Sequence, residues 1–486
     1  MKEEKKNHRQ HINIFILAII FTSVFLWVNA KPANVIGMSI EEEKDLGRRY
    51  LVELKQHVQL ADDAFIEEYI NDLGNYLVQS LETKPFDFNF YVIADNQINA
   101  FATPGGHIFI YTGLIELTEN IDELAGVMCH EIAHVSLRHI SDRIEKAKKV
   151  GLATMAGLLL GAMIGGDAAD ALITGSVAAG QQKMLSYSRE DERQADQIGF
   201  TYANKAGFDP SAMISTLTKL QQDQWGIHEI PPYLLTHPLG PERMSNIEAL
   251  LGSFPPFSEH KEATKSLRRL FPLFKTILKG KFLYAHEAEQ VFRTELEKDP
   301  DSPSAHLGLG LVLKRQTEYD NAIDHFLQAL DGLPDPLPAL RYLSETYQLK
   351  RQDREAIRVL EKALTLNHGT DKTCLFLLAN SYQNLEQYPR AAEIYERLAS
   401  MEPVKDEVFY SLGMTYGKDG KLGLAHYNFG IYHRRLNHIE ESRFHFQKAE
   451  ELAGDDSALQ QKIKQAMEEI DKKKPAPPKG EDQSIS

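Results

Sequence analysis

The chain has 486 residues, 43% of them hydrophobic, with 54 Lys and Arg against 69 Asp and Glu and a net charge of -15. That length gives roughly two to four units with sizeable cores, and ordinary hydrophobic and charged fractions exclude wholesale disorder. Two cysteines exclude a disulfide-stapled scaffold and a Cys-rich zinc ribbon, and the acidic balance argues against nucleic acid as a partner, because phosphate contacts need Lys and Arg.

In chain order, Lys2, Lys5, Lys6 and Arg9 precede the apolar run Ile12 to Val28, and Val28-Asn29-Ala30 offers short side chains where a signal peptidase reads. This predicts a secretory signal peptide over 1–30, with an uncleaved inner-membrane anchor as the alternative. Met38 to Leu81 mixes charged and apolar residues at helical spacing. Phe86 to Ala94 alternates and is predicted to be a strand, and so is His107 to Tyr111 after the turn Thr103-Pro104-Gly105-Gly106. Glu119 to Lys149 reads as one helix capped by Asn120 or Thr118. Val150 to Gln181 is rich in Gly, Ala, Leu, Ile and Met, but its uncharged stretch before Asp167 is 17 residues at most. A membrane leg needs about 20, so two short helices packed through small residues, or a peripheral membrane contact over 150–181, are expected. Cys129 and Cys374 lie in apolar runs and are expected to be buried thiols.

The second half carries a repeat. Ala288, Ala322, Ala356, Ala391 and Ala425 recur about every 34 residues, and Gly310, Ser344, Ala379 and Gly413 sit twelve residues before four of them. Ala329 and Ala363 add further small positions, and Pro300, Pro334 and Pro403 fall where a second helix would close. The pattern resembles the tetratricopeptide (TPR) repeat, a helix–turn–helix unit whose arrays offer a concave groove to proteins or peptides. Around Gly430, Ser442 and Ala449 it runs half a period out of step, as helices shared between overlapping repeats or a cap would do.

The chemistry centres on His130-Glu131-Ile132-Ala133-His134. On a helix, residues four apart share a face, so both imidazoles reach one metal ion and Glu131 approaches a water in its open position. Composition alone yields HExxH in roughly one such chain in twenty, so the motif needs support. A catalytic zinc usually takes a third protein ligand. Ser188 to Asp196 is a second acidic helical segment, with Glu192 and Asp196 four apart. Glu192 can bind the metal, and Asp196 can orient a ligand histidine, although the spacing alone also fits a solvated charge run.

HExxH with Arg138-His139 behind it, then SRxxExxAD at Ser188 to Asp196, resembles the zinc metallopeptidases that include HtpX and the CAAX-prenyl proteases. A secreted catalytic domain followed by TPR repeats resembles the periplasmic BepA-type members. The resemblance implies one Zn2+ per chain on His130, His134 and Glu192, Glu131 as general base, and Asp196 behind the ligands. Thr236-His237-Pro238-Leu239-Gly240-Pro241-Glu242-Arg243 resembles the family's HPxxxxR segment. His237 is expected either to stabilise the oxyanion or to fill the open metal position and hold the enzyme inactive. Arg243 is expected to orient this loop or balance the acidic site. Asn99, Ala100, Phe101 and Ala102 are expected to form a strand edge that pairs with extended substrate. His107 and His139 are expected to be structural.

The expected fold is an α+β zincin-like catalytic domain, mainly helical with a small sheet, over 31–262. An all-α TPR solenoid over 263–455 follows, then a terminal helix and disordered tail over 456–486. The expected activity is periplasmic zinc endopeptidase in outer-membrane protein quality control. Its partners would be unfolded or misassembled proteins, and the assembly machinery through the TPR groove. A TPR adaptor or chaperone with a silent metal site is the alternative.

Overall fold

The structure is a computed structural model that describes residues 38–147, 187–226, 231–254, 257 and 261–472. The expected signal segment 1–30, the apolar stretch 150–181 and the tail beyond 472 lie outside these residues. Among the described residues, no helix is long and apolar enough to cross a membrane. The chain divides into two compact units, Met1–Tyr284 and Ala285–Ser486.

In the first unit, α1 (Ile40–His57) starts at a capping box: the Ser39 hydroxyl accepts the Glu42 N–H and the Glu42 carboxylate accepts the Ser39 N–H. α2 (Ala64–Val78) starts at Asp63, whose carboxylate accepts the N–H groups of Phe65 and Ile66. It buries Phe65, Ile66, Tyr69, Ile70, Leu73 and Leu77. The helical pattern over 38–81 is therefore two helices. Between them Leu60 bridges to Ile93, and Ala61 N–H donates to the Val92 carbonyl at 2.8 Å.

Three strands follow: β1 (Asn89–Ile93), β2 (Ala100–Thr103) and β3 (His107–Tyr111). The order is β1-β3-β2, with β1 parallel and β2 antiparallel to β3. The β2–β3 turn needs its glycines: Gly105 and Gly106 sit at φ +82° and +92°. His107 on β3 is buried against Tyr91, as a strand residue.

After α3 (Thr112–Leu117), α4 (Ile121–Ser136) runs through the core with every residue from Ile121 to Val135 buried. Asn120 is its cap, accepting the Glu123 N–H at 3.0 Å. The single helix expected over 119–149 is broken at Arg138, which takes a left-handed φ of +59°, and α5 (His139–Ala147) sets off anew. The Arg138 guanidinium closes the break on the buried Glu43 carboxylate at 2.8 Å and on the Met38 carbonyl. Then come α6 (Arg189–Ala206), α7 (Ala212–Gly226), α8 (Pro232–Thr236), α9 (Pro241–Ser253) and α10 (Lys265–Phe282).

α10 places the unit boundary at 284/285 rather than the expected 262/263. Phe274 stacks on Tyr69 with centroids 4.4 Å apart, the Tyr69 hydroxyl donates to the Leu267 carbonyl, and Arg268 forks onto Asp122 at the start of α4. Its amphipathic pattern reads the same whichever neighbour it covers, so composition did not place it.

The second unit is a helical array: α11 (Ala285–Lys298), α12 (Pro303–Arg315), α13 (Tyr319–Ala329), α14 (Leu337–Leu349), α15 (Asp353–Leu366), α16 (Lys372–Asn384), α17 (Tyr388–Ala399), α18 (Asp406–Lys418), α19 (Leu422–Arg435), α20 (Ile439–Leu452) and α21 (Ser457–Lys472). Ala288, Ala322, Ala356, Ala391 and Ala425 are all buried. The small residues face rings: a Cβ at Gly310 would lie 2.7 Å from Phe326, and one at Gly413 would lie 2.6 Å from Phe429. The same fit recurs out of phase, with Gly430 against Phe446 at 2.5 Å. α19 thus gives Phe429 to the helix before it and receives Phe446 from the helix after it, so it is shared by two overlapping repeats. α21 caps the end, burying Leu459, Ile463 and Ile470 with Ile431 and Phe446. Cys129 and Cys374 are buried free thiols.

Candidate metal centre

α4 carries His130 and His134 one turn apart, and α6 carries Glu192 and Asp196 one turn apart. The two helices nearly touch, because a Cβ at Gly199 of α6 would lie 3.1 Å from the His130 backbone. A side chain there would press the His130 backbone away, and the close approach brings the Glu192 carboxylate over the HExxH face. Ser188 fixes where α6 begins through a capping box with Asp191. α8 ends at His237, and α9 brings Arg243.

One ligand atom from each of His130, His134, Glu192 and His237 lies within 4.8 Å of all the others, and all four residues are buried. His130 Nε2 is 3.1 Å from His134 Nε2, and His134 Nε2 is 3.3 Å from Glu192 Oε1. His237 Nδ1 is 2.9 Å from Glu192 Oε1 and 3.3 Å from His130 Nε2. His130 donates from Nδ1 to Asp196 Oδ1 at 2.9 Å, so its Nε2 is a lone pair aimed into the cluster. Imidazole and carboxylate lone pairs converging on one spot repel unless a cation sits among them. Both Glu131 oxygens and His237 Nε2 are buried with no hydrogen-bond partner. The donor set of nitrogen and oxygen atoms fits zinc.

Electrostatics hold His134 and Glu192 in binding form. Burial, with the charges of His130 and His237, holds His134 well below its ordinary pKa, against the Glu192 hydrogen bond, so it stays neutral. Burial would push Glu192 up, but the charges of Arg243 and His237 outweigh it and hold the carboxyl well below its usual range. Asp196 is likewise lowered: burial opposes, and the Arg243 charge and hydrogen bond prevail. For His130, burial lowers the pKa, but the Asp196 hydrogen bond and the Glu192 charge raise it on balance. Glu131 moves the other way, raised by burial that the neighbouring histidine charges only partly offset. Arg243 is the buried counter-charge, 2.6 Å from Glu192 Oε2 and 2.7 Å from Asp196 Oδ2.

The structure brings together every residue expected at the centre: His130, Glu131, His134, Glu192, Asp196, His237 and Arg243. Two expectations change. The edge strand Asn99, Ala100, Phe101 and Ala102 does lie at the sheet edge, but it is covered, at most 2% exposed. α8 packs alongside, with Tyr233 N–H donating to the Ile98 carbonyl at 3.3 Å. His139, expected to be structural only, has Nδ1 3.0 Å from His134 Nδ1. Sequence reasoning also missed Tyr187, stacked on His134 at 3.8 Å with the Arg143 guanidinium over its ring at 4.2 Å, and Tyr233, stacked on His237 at 4.5 Å. Lone tyrosines without a periodic pattern carried no signal.

Comparison with known proteins decides the family. Residues 66–251 match the model of peptidase family M48, and 285–335 and 373–406 match tetratricopeptide repeat models. The beta-barrel assembly-enhancing protease of Escherichia coli K12 is 35% identical over 368 residues, covering 74% of each chain. The chain belongs to peptidase family M48. It is a zinc-dependent metalloprotease with TPR repeats. The protein of the same name from Yersinia pestis is 29% identical over 375 residues, 75% of each chain. The mitochondrial metalloendopeptidase OMA1 of Bos taurus is 29% identical over 259 residues, 47% of each chain. The TPR repeats mark the second unit as a protein-interaction module.

Proposed function

We propose that this chain is a periplasmic zinc endopeptidase that degrades unfolded or misassembled outer-membrane β-barrel proteins, with its TPR groove engaging the client or the assembly machinery. One observation carries the chemistry: the Glu131 carboxylate is fully buried beside the convergent ligand atoms and has no hydrogen-bond partner. The printed names of the E. coli and Yersinia relatives support the client class.

His130, His134 and Glu192 are the proposed zinc ligands, with Asp196 orienting His130 and Arg243 holding both carboxylates. Zinc bound there supplies polarisation of the scissile carbonyl and a water of lowered pKa. Glu131 accepts a proton from the attacking water and returns it to the leaving amine.

Of the two roles open to His237, the distances favour the gate. Its Nδ1 crowds the ligand atoms, and its Nε2 lies 3.5 Å from Glu131 Oε1, so one ring obstructs both the open metal position and the base. α8, which leads to this ring, is tied by the Tyr233 N–H to the Ile98 carbonyl. Withdrawing α8 would carry this ring away from both the metal position and the base.

The purified chain with zinc is expected to cleave an unfolded β-barrel outer-membrane protein, with cleavage lost to a chelator and regained with Zn2+. Binding without cleavage would instead support the adaptor reading. His237→Ala is expected to raise the cleavage rate roughly tenfold, the gain if about a tenth of molecules are otherwise open. A sharp fall in kcat would assign the oxyanion role instead.

A further inference from the structure

His134 presents Nε2 to the ligand cluster and Nδ1 away from it. An imidazole that binds a metal through Nε2 carries its proton on Nδ1, and that proton needs an acceptor. For His130 the acceptor is the Asp196 carboxylate. For His134 the atom in place is His139 Nδ1, 3.0 Å away.

We infer that His139 is a positioning residue for the metal centre, accepting the Nδ1–H of His134 and so fixing the tautomer and ring orientation of that ligand. The rest of the network accommodates this proton order. If His139 Nδ1 accepts, its own proton is on Nε2, and Gln194 Oε1 lies 3.3 Å from that nitrogen. The Gln194 amide is oriented the right way round, because its Nε2 donates to Glu190 Oε1 at 2.7 Å. Glu190 is anchored in turn by Arg193 at 2.6 Å. The relay runs His134, His139, Gln194, Glu190, and the Glu190 oxygen at its end also accepts from Arg193. His134 and His139 are 0% and 4% exposed, so water is not the competing acceptor.

The backbone explains why this contact exists. In an unbroken helix, a residue five positions after His134 would be turned about 140° away from it. The left-handed Arg138 reverses that displacement and returns His139 to His134. Tyr187, stacked on the His134 face at 3.8 Å, restrains the same ring from a second side.

This inference rests on the zinc reading, and the test separates the two. Zinc affinity of the full chain is measured by competition with a chromophoric chelator, and the ligand field by the Co2+ spectrum of the substituted protein. His139→Phe, which keeps the ring and removes the acceptor, is expected to weaken Zn2+ binding about 10–100-fold and to perturb the Co2+ bands. His139→Gln, whose side-chain oxygen can accept, is expected to restore most of the affinity. Wild-type affinity and an unchanged Co2+ spectrum in His139→Phe would overturn the inference while leaving the zinc site intact. Absence of zinc binding by the wild-type chain would overturn the zinc reading and the inference with it. If His139→Phe does not fold, Gln194→Leu carries the test, since it removes the acceptor for His139 Nε2–H and leaves both rings in place. A weakened zinc affinity then supports the relay, and an unchanged one overturns it.

Discussion

Glu131→Gln is expected to lower kcat for peptide hydrolysis roughly 10²–10⁴-fold, the usual weight of a general base, with zinc content and melting temperature near wild type. The substitution is nearly isosteric, which matters at a position 0% exposed. Neither Glu131 oxygen makes a hydrogen bond, so replacing one by an amide breaks none within the protein, and the close neighbour it alters is His237 Nε2 at 3.5 Å. What changes is proton affinity. Burial raises the Glu131 pKa, and this basicity has no counterpart in an amide. Saturating kinetics and metal analysis on the same preparation check the result. Equal turnover in the two proteins would move the base elsewhere.

Glu192→Ala is expected to have the larger structural effect: loss of stoichiometric zinc, loss of activity, and a destabilisation of about 3 kcal/mol, the scale on which breaking a buried ion pair acts. The carboxylate does two things at once. Its Oε1 lies 3.3 Å from His134 Nε2, and its Oε2 lies 2.6 Å from Arg243. Removing it leaves a guanidinium, 5% exposed, with Asp196 as its remaining carboxylate partner. Denaturant unfolding of the metal-free proteins separates this term from the zinc contribution. Retention of one zinc per chain would exclude Glu192 from the ligand set.

Much of this centre was legible in the order of residues, because its chemistry is carried by local spacing. His130 and His134 are set on one face by helical period, and so are Glu192 and Asp196. Asn120 announces its helix by capping chemistry, and the alanines of the array recur because paired helices demand small contacts. The parts that were not legible depend on single backbone angles or on packing between distant segments. Nothing in the apolar periodicity around Arg138 signals a left-handed residue, so neither the break nor the contact of His139 with His134 could be foreseen. His237 and Arg243 were found through the resemblance to the family's HPxxxxR segment, but the grip of Arg243 on Asp196 and Glu192 needs the fold. β2 is packed by α4, and α8, more than 100 residues later in the chain, reaches the neighbouring Ile98 carbonyl.

The double duty of α19 limits where this protein can be shortened. A truncation ending after Arg435 would keep Phe429 seated at Gly413 but strip the opposite flank of α19, baring Gly430 and Ile431 to water. A truncation ending after Leu452 would leave the Phe446 layer without its lid of Leu459, Ile463 and Ile470. The last three helices therefore stand or fall as a block, and a stop codon anywhere between 436 and 456 should yield a protein that aggregates rather than a smaller one that works.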